Sequence, residues 1–409
     1  MSAINLVLDK ILAVTDNIID TTFKEIETIV KTVLVRPIKV CIVASPGMGG
    51  SGIMGSSVAS ELAARGHDVH MISYRKPFRL DNKNVRTHYI PLRNYQVLEH
   101  FPVVMSTASK LYDVVKKHGI DVINVHYAIP YSAASYLARE MFKSEGVKIP
   151  IVTTVHGTDV HTIGQKKELK DIVRFTLKSS DGITAVSNYL AKMIQQKFDI
   201  DTEAKVIYNY VDTERFKKAG NPALVKRLGK DRKIILHTSN FRSIKRVGDI
   251  VDAFRLIRKT VPSTLVLAGD GPDMPAIRKK VARYKLLKHV VFAGSRKDVE
   301  KFYAVSDLFM FASLRESFGL SIIEAMSSSV PVVSTRSGGP QEIIEDGKTG
   351  YLVGIKDVAE MADRAIDLLT NDKKREKMGN AGRSKVLKNF TAEKIIPEYE
   401  SYYRKLLLT

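Results

Sequence analysis

The strongest constraint on the fold is an alternation of short apolar runs with helix-like stretches, which occurs twice along the chain. The first series contains "IKVCIVAS", "DVHMISY", "DVINVHY", "IPIVTTVHG" and "GITAVS". The second contains "KIILHTSN", "STLVLAGDG", "HVVFAGS", "DLFMFAS" and "VPVVST". Near-continuous apolar strands separated by helices are typical of parallel sheets covered on both faces. The sequence therefore predicts an α/β protein with two doubly wound domains.

The boundary between the two series lies near "VIYNYVDTERF", around residues 208–216. We predict a Rossmann-like first domain over residues 37–207 and a Rossmann-like second domain over residues 208–389. A C-terminal helix over residues 390–409 is expected to pack back on the first domain. Because ligands of doubly wound sheets bind beyond the carboxyl ends of the strands, two facing domains would hold a ligand in the cleft between them.

Residues 1–36 contain no Gly or Pro and are predicted to form an N-terminal helical extension. Apolar residues recur there every seven positions, at Leu12, Ile19, Ile26 and Val33, with Leu8, Thr15, Thr22 and Ile29 as a weaker second row. Two hypotheses remain open, namely docking on the protein's own body and pairing with another subunit in a homo-oligomer. The extension has 4 basic and 5 acidic residues, which argues against a basic membrane-surface helix.

The composition is that of a folded globular protein, with 44% hydrophobic and 26% charged residues. The apolar runs are too short to cross a bilayer, and the N-terminus does not resemble a secretory signal. The single cysteine, Cys41, cannot form an internal disulfide, so a cytoplasmic protein is expected.

The formal net charge of +20 is concentrated between Lys217 and Lys301, where 22 Lys and Arg face 7 Asp and Glu. Such a stretch attracts phosphate-bearing ligands, nucleic acid or an anionic membrane surface. No basic motif with interleaved aromatic residues is present, so nucleic acid is not the expected partner. The favoured interpretation is the solvated face of a nucleotide-using enzyme, with peripheral membrane contact left open.

The segment "SPGMGGSG", from Ser45 to Gly52, joins the first strand to the first helix and has the Gly-x-Gly-x-x-Gly spacing of dinucleotide sites. Such sites need an acidic residue at the end of the second strand, but that strand ends "HMISYRK". Arg75 could serve a 2'-phosphate, so a nicotinamide cofactor stays open as the weaker alternative. The favoured interpretation is an anion cradle made of backbone amides at a helix N-terminus.

The second domain carries "RESFGLSIIEAM", in which Glu316 and Glu324 are separated by seven residues. Gly319 allows a sharp turn into a helix, and Glu324 lies on the second turn of that helix. Two carboxylates at this position can accept hydrogen bonds from sugar hydroxyls. The amides of Phe318, Gly319 and Leu320 can donate to phosphate oxygens.

These motifs resemble those of the retaining glycosyltransferases of family 4, which have the GT-B fold. The general resemblance rests on Glu316 and Glu324, "GDGP" at Gly269 and "TGYLV" at Thr349. Within the family, the chain closely resembles the enzymes of bacillithiol biosynthesis that transfer N-acetylglucosamine from UDP-N-acetylglucosamine to the hydroxyl of L-malate. That narrower match rests on "GGSG", "NVHYAIP", "VTTVHGTD", "IVRFTLKSSDGITAVS" and "SNFRSIKRV".

The resemblance implies roles for individual residues. The catalytic candidates are His156, Glu316 and Lys245. The implied donor site consists of Asn240, Arg242, Lys245, Arg246, Gly269, Gly271, Glu316, Ser317, Phe318, Gly319, Leu320 and Glu324. Lys245 would contact the diphosphate, Glu324 the uridine ribose and Glu316 the donor sugar. Many relatives have Arg where this chain has Asn240, so the second cation on the diphosphate is undecided between Arg242 and Arg246.

The implied acceptor site consists of Gly50, Ser51, Tyr127, Thr153 and Arg174, with Arg174 gripping a carboxylate through two parallel hydrogen bonds. The resemblance further implies a metal-independent reaction without a cofactor, in which the departing diphosphate takes the acceptor proton. Ser328 and Ser329 replace a usual Cys-Gly, and "GGPQE" replaces a usual "GGIPE", both on the donor side. The alternatives are a family 4 enzyme with a lipid or sugar acceptor and a noncatalytic nucleotide-sugar or nucleic-acid binding protein.

Overall fold

The computed structural model describes residues 36–80, 82–91 and 102–408, which form two α/β domains. The strands of the first domain are β1 (Lys39–Val43), β2 (Asp68–Ser73), β3 (Arg86–Tyr89), β4 (Val122–His126), β5 (Ile151–Val155), β6 (Gly182–Ala185) and β7 (Lys205–Val206). The strands of the second domain are β8 (Lys233–Thr238), β9 (Ser263–Ala268), β10 (Val290–Gly294), β11 (Leu308–Phe311), β12 (Val332–Thr335) and β13 (Tyr351–Val353).

Helices follow most of the strands. Those of the first domain are α1 (Gly50–Ala64), α2 (Val103–His118), α3 (Ala133–Lys143), α4 (Thr158–His161), α5 (Lys167–Lys178) and α6 (Asn188–Phe198). Those of the second domain are α7 (Pro222–Leu228), α8 (Val247–Ile257), α9 (Met274–Arg283), α10 (Glu300–Val305), α11 (Leu320–Ser327), α12 (Pro340–Ile343), α13 (Val358–Thr370) and α14 (Asp372–Asn389). The C-terminal helix is α15 (Ala392–Leu407).

Every strand pair in both sheets is parallel. The first sheet has the order β3-β2-β1-β4-β5-β6-β7, and the second has the order β10-β9-β8-β11-β12-β13. In each sheet the winding direction reverses beside the first strand, between β1 and β4 and between β8 and β11. These reversal points are where doubly wound sheets bind ligands. The loops after these four strands are therefore the expected walls of a site.

The central strands are buried on both faces. In β1, Val40 and Ile42 pack with residues of α1 and α15, whereas Cys41 and Val43 pack with residues of α2 and α3. This double coverage explains why β1 reads as a continuous apolar run and not as an alternating one. The prediction of two doubly wound domains is confirmed.

Helix α15 packs against the first sheet after the chain has completed the second domain. Tyr399 and Tyr403 lie in the same buried cluster as β1. Asn124 on β4 donates a hydrogen bond from Nδ2 to the Tyr403 hydroxyl at 2.5 Å. Because of this return, two chain segments connect the domains, one after β7 and one before α15.

Both connections are anchored on the second domain. Tyr208 and Phe390 pack against Phe318, with ring centroids 6.0 and 5.8 Å from that of Phe318. The Tyr208 hydroxyl also donates to Oε2 of Glu342 on α12 at 3.0 Å. The other carboxylate oxygen of Glu342 accepts from the backbone amide of Tyr189, in the first turn of α6, at 2.7 Å. A carboxylate at a helix N-terminus is favourable, so Glu342 holds the second domain to the first.

Three strands have no counterpart in the predicted series, namely β3, β7 and β13. Strands β3 and β7 are exposed or half-buried, and β7 has only two residues. All three are edge strands of only four, two and three residues, so they are too short to carry a long apolar run. The predicted extension over residues 1–36 lies outside the described residues, apart from Arg36. In the part of the chain that the structure describes, no helix is long and apolar enough to cross a bilayer.

Candidate active site

A cavity of about 1030 Å³ lies between the carboxyl ends of the two sheets. Fourteen of the residues predicted to form the site line it, namely Gly50, Ser51, Tyr127, His156, Asn240, Arg242, Lys245, Gly269, Glu316, Ser317, Phe318, Gly319, Leu320 and Glu324. Four do not, namely Thr153, Arg174, Arg246 and Gly271. The cleft therefore brings together most of the residues singled out from both halves of the sequence.

The glycine turn forms part of the first-domain wall. Helix α1 begins at Gly50, and Ser51 in its first turn is buried. A Cβ at Gly52 would lie 2.4 Å from the carbonyl oxygen of Gly47, so only glycine permits this tight return. The first amides of a helix have no partner within the helix. The turn thus presents backbone donors and a positive helix end to the cleft.

His156 follows β5 and is paired with another buried histidine. Its Nε2 lies 2.8 Å from Nδ1 of His126, the last residue of β4. Burial lowers the pKa of His126 to about 3, and burial together with His126 lowers the pKa of His156 well below its ordinary value. Both imidazoles are therefore neutral near pH 7. His156 can hydrogen-bond a ligand but does not bring a positive charge to it.

Tyr127 and Asp159 shape the same wall. Tyr127 adopts a φ of 109°, which is rare for a residue with a side chain. The following amide, that of Ala128, donates to Oδ2 of the buried Asp159 at 3.1 Å. Burial raises the pKa of Asp159 to about 6, while this and other backbone hydrogen bonds oppose the rise. Asp159 thus fixes the loop that carries Tyr127.

The second-domain wall carries charge. Lys245 Nζ lies 2.6 Å from Oε2 of Glu316, and both side chains are largely buried. The ammonium also lies 5.5 Å from the centre of the Phe311 ring. Oε1 of Glu316 accepts from the amides of Ser317, at 3.2 Å, and Phe318, at 3.5 Å. The amide of Phe318 that was predicted to hold phosphate is therefore directed at a carboxylate in this arrangement.

Glu324 is held by two partners from different domains. Oε2 accepts from the Tyr303 hydroxyl at 3.1 Å, and Oε1 accepts from Arg79 Nη1 at 3.1 Å. Arg79 belongs to the first domain, in the connection between β2 and β3, and its guanidinium lies 5.3 Å from the centre of the Phe216 ring. Glu324 is only 6% exposed. An ion pair across the cleft therefore occupies the carboxylate that was predicted to bind ribose.

Two backbone positions bring loops close together. A Cβ at Gly269, whose φ is 132°, would lie 1.9 Å from the carbonyl oxygen of Ser239. At Gly157, whose φ is 112°, a Cβ would lie 1.6 Å from Oγ and 2.7 Å from Cβ of Ser317 in the other domain. Among the described glycines, Gly157 therefore makes the closest approach to the other domain.

Arg174 and Thr153 are placed away from the cleft, and the acceptor roles predicted for them do not fit these positions. Arg174 lies on the outer face of α5, and its Nη2 donates to the exposed Asp199 at 2.7 Å. Its neighbour Val173 faces the core, so Arg174 is turned about 100° from the buried face. Thr153 is fully buried within β5 and bonds Ser132 and Ser180.

Arg246 and Gly271 also lie off the cavity wall. Arg246 donates from Nη2 to Oδ1 of Asp249 at 2.7 Å. Of the two undecided arginines, only Arg242 lines the cleft. Gly271 packs directly against the backbone of Phe241, because a Cβ at Gly271 would lie 2.6 Å from the Phe241 carbonyl oxygen. Gly271 therefore supports the loop that carries Asn240 and Arg242.

Several cleft residues were missed by sequence reasoning, among them Arg79, His161, Arg296 and Arg315. His161 has both ring nitrogens without a hydrogen-bond partner, and burial lowers its pKa to about 4. Its position five residues after His156, in the short helix α4 that follows a central strand, was a usable signal. Arg79 does not directly follow a strand and belongs to none of the motifs, so no local signal identified it as a cleft residue.

Two family models match the chain. "Glycosyltransferase Family 4" matches residues 48–215, and "Glycosyl transferases group 1" matches residues 224–385. The N-acetyl-alpha-D-glucosaminyl L-malate synthase of Bacillus anthracis is 37% identical over 374 residues, which cover 90% of this chain and 97% of that protein.

Solved structures share the architecture. Sucrose-phosphate synthase from Thermosynechococcus elongatus superposes with a TM-score of 0.77 at 19% identity, covering 91% of this chain and 100% of that one. The Anabaena protein HepE, solved in complex with UDP and glucose, also has a TM-score of 0.77 at 19% identity, covering 89% of this chain and 99% of that one. These likenesses establish the fold.

Proposed function

The chain belongs to glycosyltransferase family 4 and has the GT-B fold, and we propose that it transfers N-acetylglucosamine from UDP-N-acetylglucosamine to the hydroxyl of L-malate with retention at the anomeric carbon. The observation that carries this proposal is the 37% identity, over 97% of its length, to the protein named N-acetyl-alpha-D-glucosaminyl L-malate synthase. The cleft adds independent support, because it joins a charged wall to an anion-binding turn.

The donor fits the second-domain wall. Lys245 and Arg242 supply positive charge for a diphosphate, and Lys245 can exchange its pairing with Glu316 for phosphate oxygens. Glu316 would then be free to accept from hydroxyls of the donor sugar. Glu324 would accept from the ribose hydroxyls after releasing Arg79. Lys245 thus exchanges one anionic partner for another, whereas Glu316 and Glu324 exchange a cation for hydroxyl donors and Arg79 is released.

The acceptor fits the first-domain wall. A dicarboxylate needs donors for two negative groups, and the turn at Gly50 and Ser51 offers amides at a positive helix end. Tyr127 and the neutral His156 stand beside this turn in the same cavity. The loss of Arg174 and Thr153 from the acceptor site leaves backbone groups and cleft cations, such as Arg315, as the partners for carboxylates.

In the reaction, the bond between the anomeric carbon and the diphosphate oxygen breaks, and UDP leaves with the electron pair. The malate hydroxyl forms the new bond on the same face and passes its proton to the departing phosphate oxygen. Lys245 and Arg242 stabilise the charge that develops on UDP, which is the main catalytic contribution expected of positioned cations. Since these side chains supply that charge, we propose that transfer needs no metal ion or cofactor.

The test is UDP release by the purified chain with UDP-N-acetylglucosamine and a matched set of acids. L-Malate is expected to support release, succinate to give none because it lacks the hydroxyl, and L-lactate to be poor because it lacks one carboxylate. Proton NMR of the product should show the α-anomer, and the rate should be unchanged by a chelator.

Other outcomes would overturn parts of the proposal. UDP release only with a lipid or sugar acceptor would show that malate is not the acceptor, but it would leave the assignment to family 4 unchanged. A β-linked product would contradict retention. Binding of UDP-N-acetylglucosamine without release for any acceptor would identify a binding protein.

A further inference from the structure

Three histidines meet outside the cleft, at the β3 edge of the first sheet. His70 lies on β2, His88 on β3 and His118 in the last turn of α2. Ring nitrogens of all three lie within 4.8 Å of one another. None of the three lines the cavity between the domains, so the cluster is separate from the glycosyl-transfer site.

The fold brings these residues together from distant parts of the sequence. In the parallel pairing of β2 with β3, Ile72 lies opposite His88. His70, two residues before Ile72, points to the same face of the sheet. Helix α2 covers this face, because Ile72 packs in one cluster with Val115. His118 follows Val115 by three residues, nearly one turn, which places its imidazole over the two strand histidines.

The spacing of the rings suits a shared metal ion. Nδ1 of His70 and Nε2 of His88 lie 2.9 Å apart, and the two rings are parallel within 3°. The ring of His118 has its centre 4.3 Å from that of His70 and 5.3 Å from that of His88. Tetrahedral zinc with bonds near 2.0–2.1 Å requires donors about 3.4 Å apart. Small side-chain rotations would bring all three nitrogens to that separation.

A carboxylate orients the buried member of the cluster. Nε2 of His70 lies 3.2 Å from Oδ1 of Asp68. This contact favours the proton on Nε2 and leaves the Nδ1 lone pair directed at Nε2 of His88. Metal-binding histidines commonly donate their second ring nitrogen to a carboxylate in this way.

We propose that His70, His88 and His118 bind a divalent first-row transition metal ion such as Zn²⁺, with Asp68 orienting His70 and solvent completing the coordination. The ion would join the edge strand β3 to β2 and to the end of α2. Its role is stabilisation of this edge of the domain, and it takes no part in glycosyl transfer.

Arg86 opposes the ion and provides a sharp test. Its Nη1 lies 3.4 Å from Nε2 of His70 and 3.4 Å from Oδ2 of Asp68. A positive charge at this distance weakens the binding of a cation, so Arg86→Gln is expected to tighten zinc binding several-fold. This variant keeps all three ligands, and it remains informative if a histidine variant fails to fold.

The experiment uses the full chain without an affinity tag, stripped of metal by a chelator and then titrated with zinc chloride against a chromophoric chelator. One zinc ion per chain is expected at micromolar or lower free zinc, with a rise of several degrees in the midpoint of thermal unfolding. His88→Gln and His118→Gln should each weaken binding at least tenfold. His289→Gln, which removes a histidine of the second domain, is the matched control and should bind zinc as the wild type does.

Three results would overturn the proposal. They are no bound zinc at 100 µM free metal, equal binding by the wild type and the His88→Gln and His118→Gln variants, and unchanged affinity in Arg86→Gln. The Co²⁺-loaded protein gives a further check, because visible absorption bands of a tetrahedral ion should be lost in His118→Gln.

Discussion

The two walls of the cleft use different chemistry. The second-domain wall carries charged side chains, such as Lys245 and Glu316, that are already paired with one another. The first-domain wall carries backbone amides at Gly50 and Ser51 and neutral imidazoles, among them His156. Arg79 is the exception, because it is a charged residue of the first domain whose partner, Glu324, lies on the second.

This difference shows how a site can prepare for a charged donor. A lone cation in a buried cleft is costly, and on the second wall Lys245 lies beside the carboxylate of Glu316. The first wall needs no such pairing, since amides and neutral imidazoles carry no net charge. The two walls should therefore respond differently to mutation and to pH.

The largest effect is expected on the charged wall. Lys245→Ala should lower kcat/KM by about a thousandfold, because the leaving diphosphate loses a positioned cation in a shielded site. Initial rates of UDP release provide the measurement. Lys280→Ala is the matched control, since Lys280 pairs with Asp252 outside the cleft and should leave the rate unchanged. A loss below threefold for Lys245→Ala would mean that this wall does not act through charge.

The contact between the walls comes next. Gly157→Ala should lower kcat/KM about a hundredfold, because the new Cβ meets Ser317 and forces the domains apart. Adding Ser317→Gly removes the obstacle and should restore part of the activity. Gly146→Ala is the control, because Gly146 also has a positive φ, 72°, but faces open space. Equal losses for both alanine variants would show that backbone strain, not wall contact, is responsible.

The neutral imidazoles of the first domain should affect how the free energy of unfolding depends on pH. The test uses His126, the buried partner of His156. The pKa of His126 is about 3 in the folded protein and, when unfolded, near the ordinary histidine value of about 6.5. Between these values the unfolded chain binds the extra proton, so the free energy of unfolding falls as the pH is lowered. His126→Gln should reduce this slope by about 1 kcal/mol per pH unit between pH 6 and 4. Urea unfolding at several pH values measures it, and an unchanged slope would show that His126 takes up its proton without unfolding.

Arg79 is the charged residue of the first-domain wall, and its substitution should change the KM for the donor moderately without changing the KM for the acceptor. Arg79 occupies the carboxylate of Glu324 that the proposed donor site assigns to ribose, so Arg79→Met should lower the KM for UDP-N-acetylglucosamine about fivefold and leave the KM for malate unchanged. Steady-state kinetics with each substrate varied in turn distinguish the two. Arg75→Met, an exposed arginine of the same connection, is the control. A higher donor KM in Arg79→Met would mean that Arg79 holds the nucleotide.

The smallest effect is expected for Arg174. Arg174 does not reach the cleft, and its partner Asp199 is exposed. Arg174→Ala should therefore change the malate KM by less than about twofold. The same kinetic series measures it. A rise of tenfold or more, with donor KM unchanged, would return Arg174 to the acceptor site.

Local sequence predicted the central strands because they are buried on both faces and must be continuously apolar. Strand β3 was missed for the opposite reason, since "RTHY" at the sheet edge is largely exposed. The motif residues Glu316 and Glu324 were placed correctly in the cleft because they follow a central strand. Arg174 was misplaced because a motif match does not say which side of a helix faces a ligand.

The sequence alone was enough to predict two doubly wound domains and the end of each sheet at which the cleft lies. Both follow from burial and from chain direction, which are local properties. The tertiary structure sets which charged groups meet, such as Lys245 with Glu316, 71 residues apart, and Arg79 with Glu324, 245 residues apart. It also gathered His70, His88 and His118 at one edge. These meetings depend on how sheets, helices and domains dock, and no local pattern records that docking.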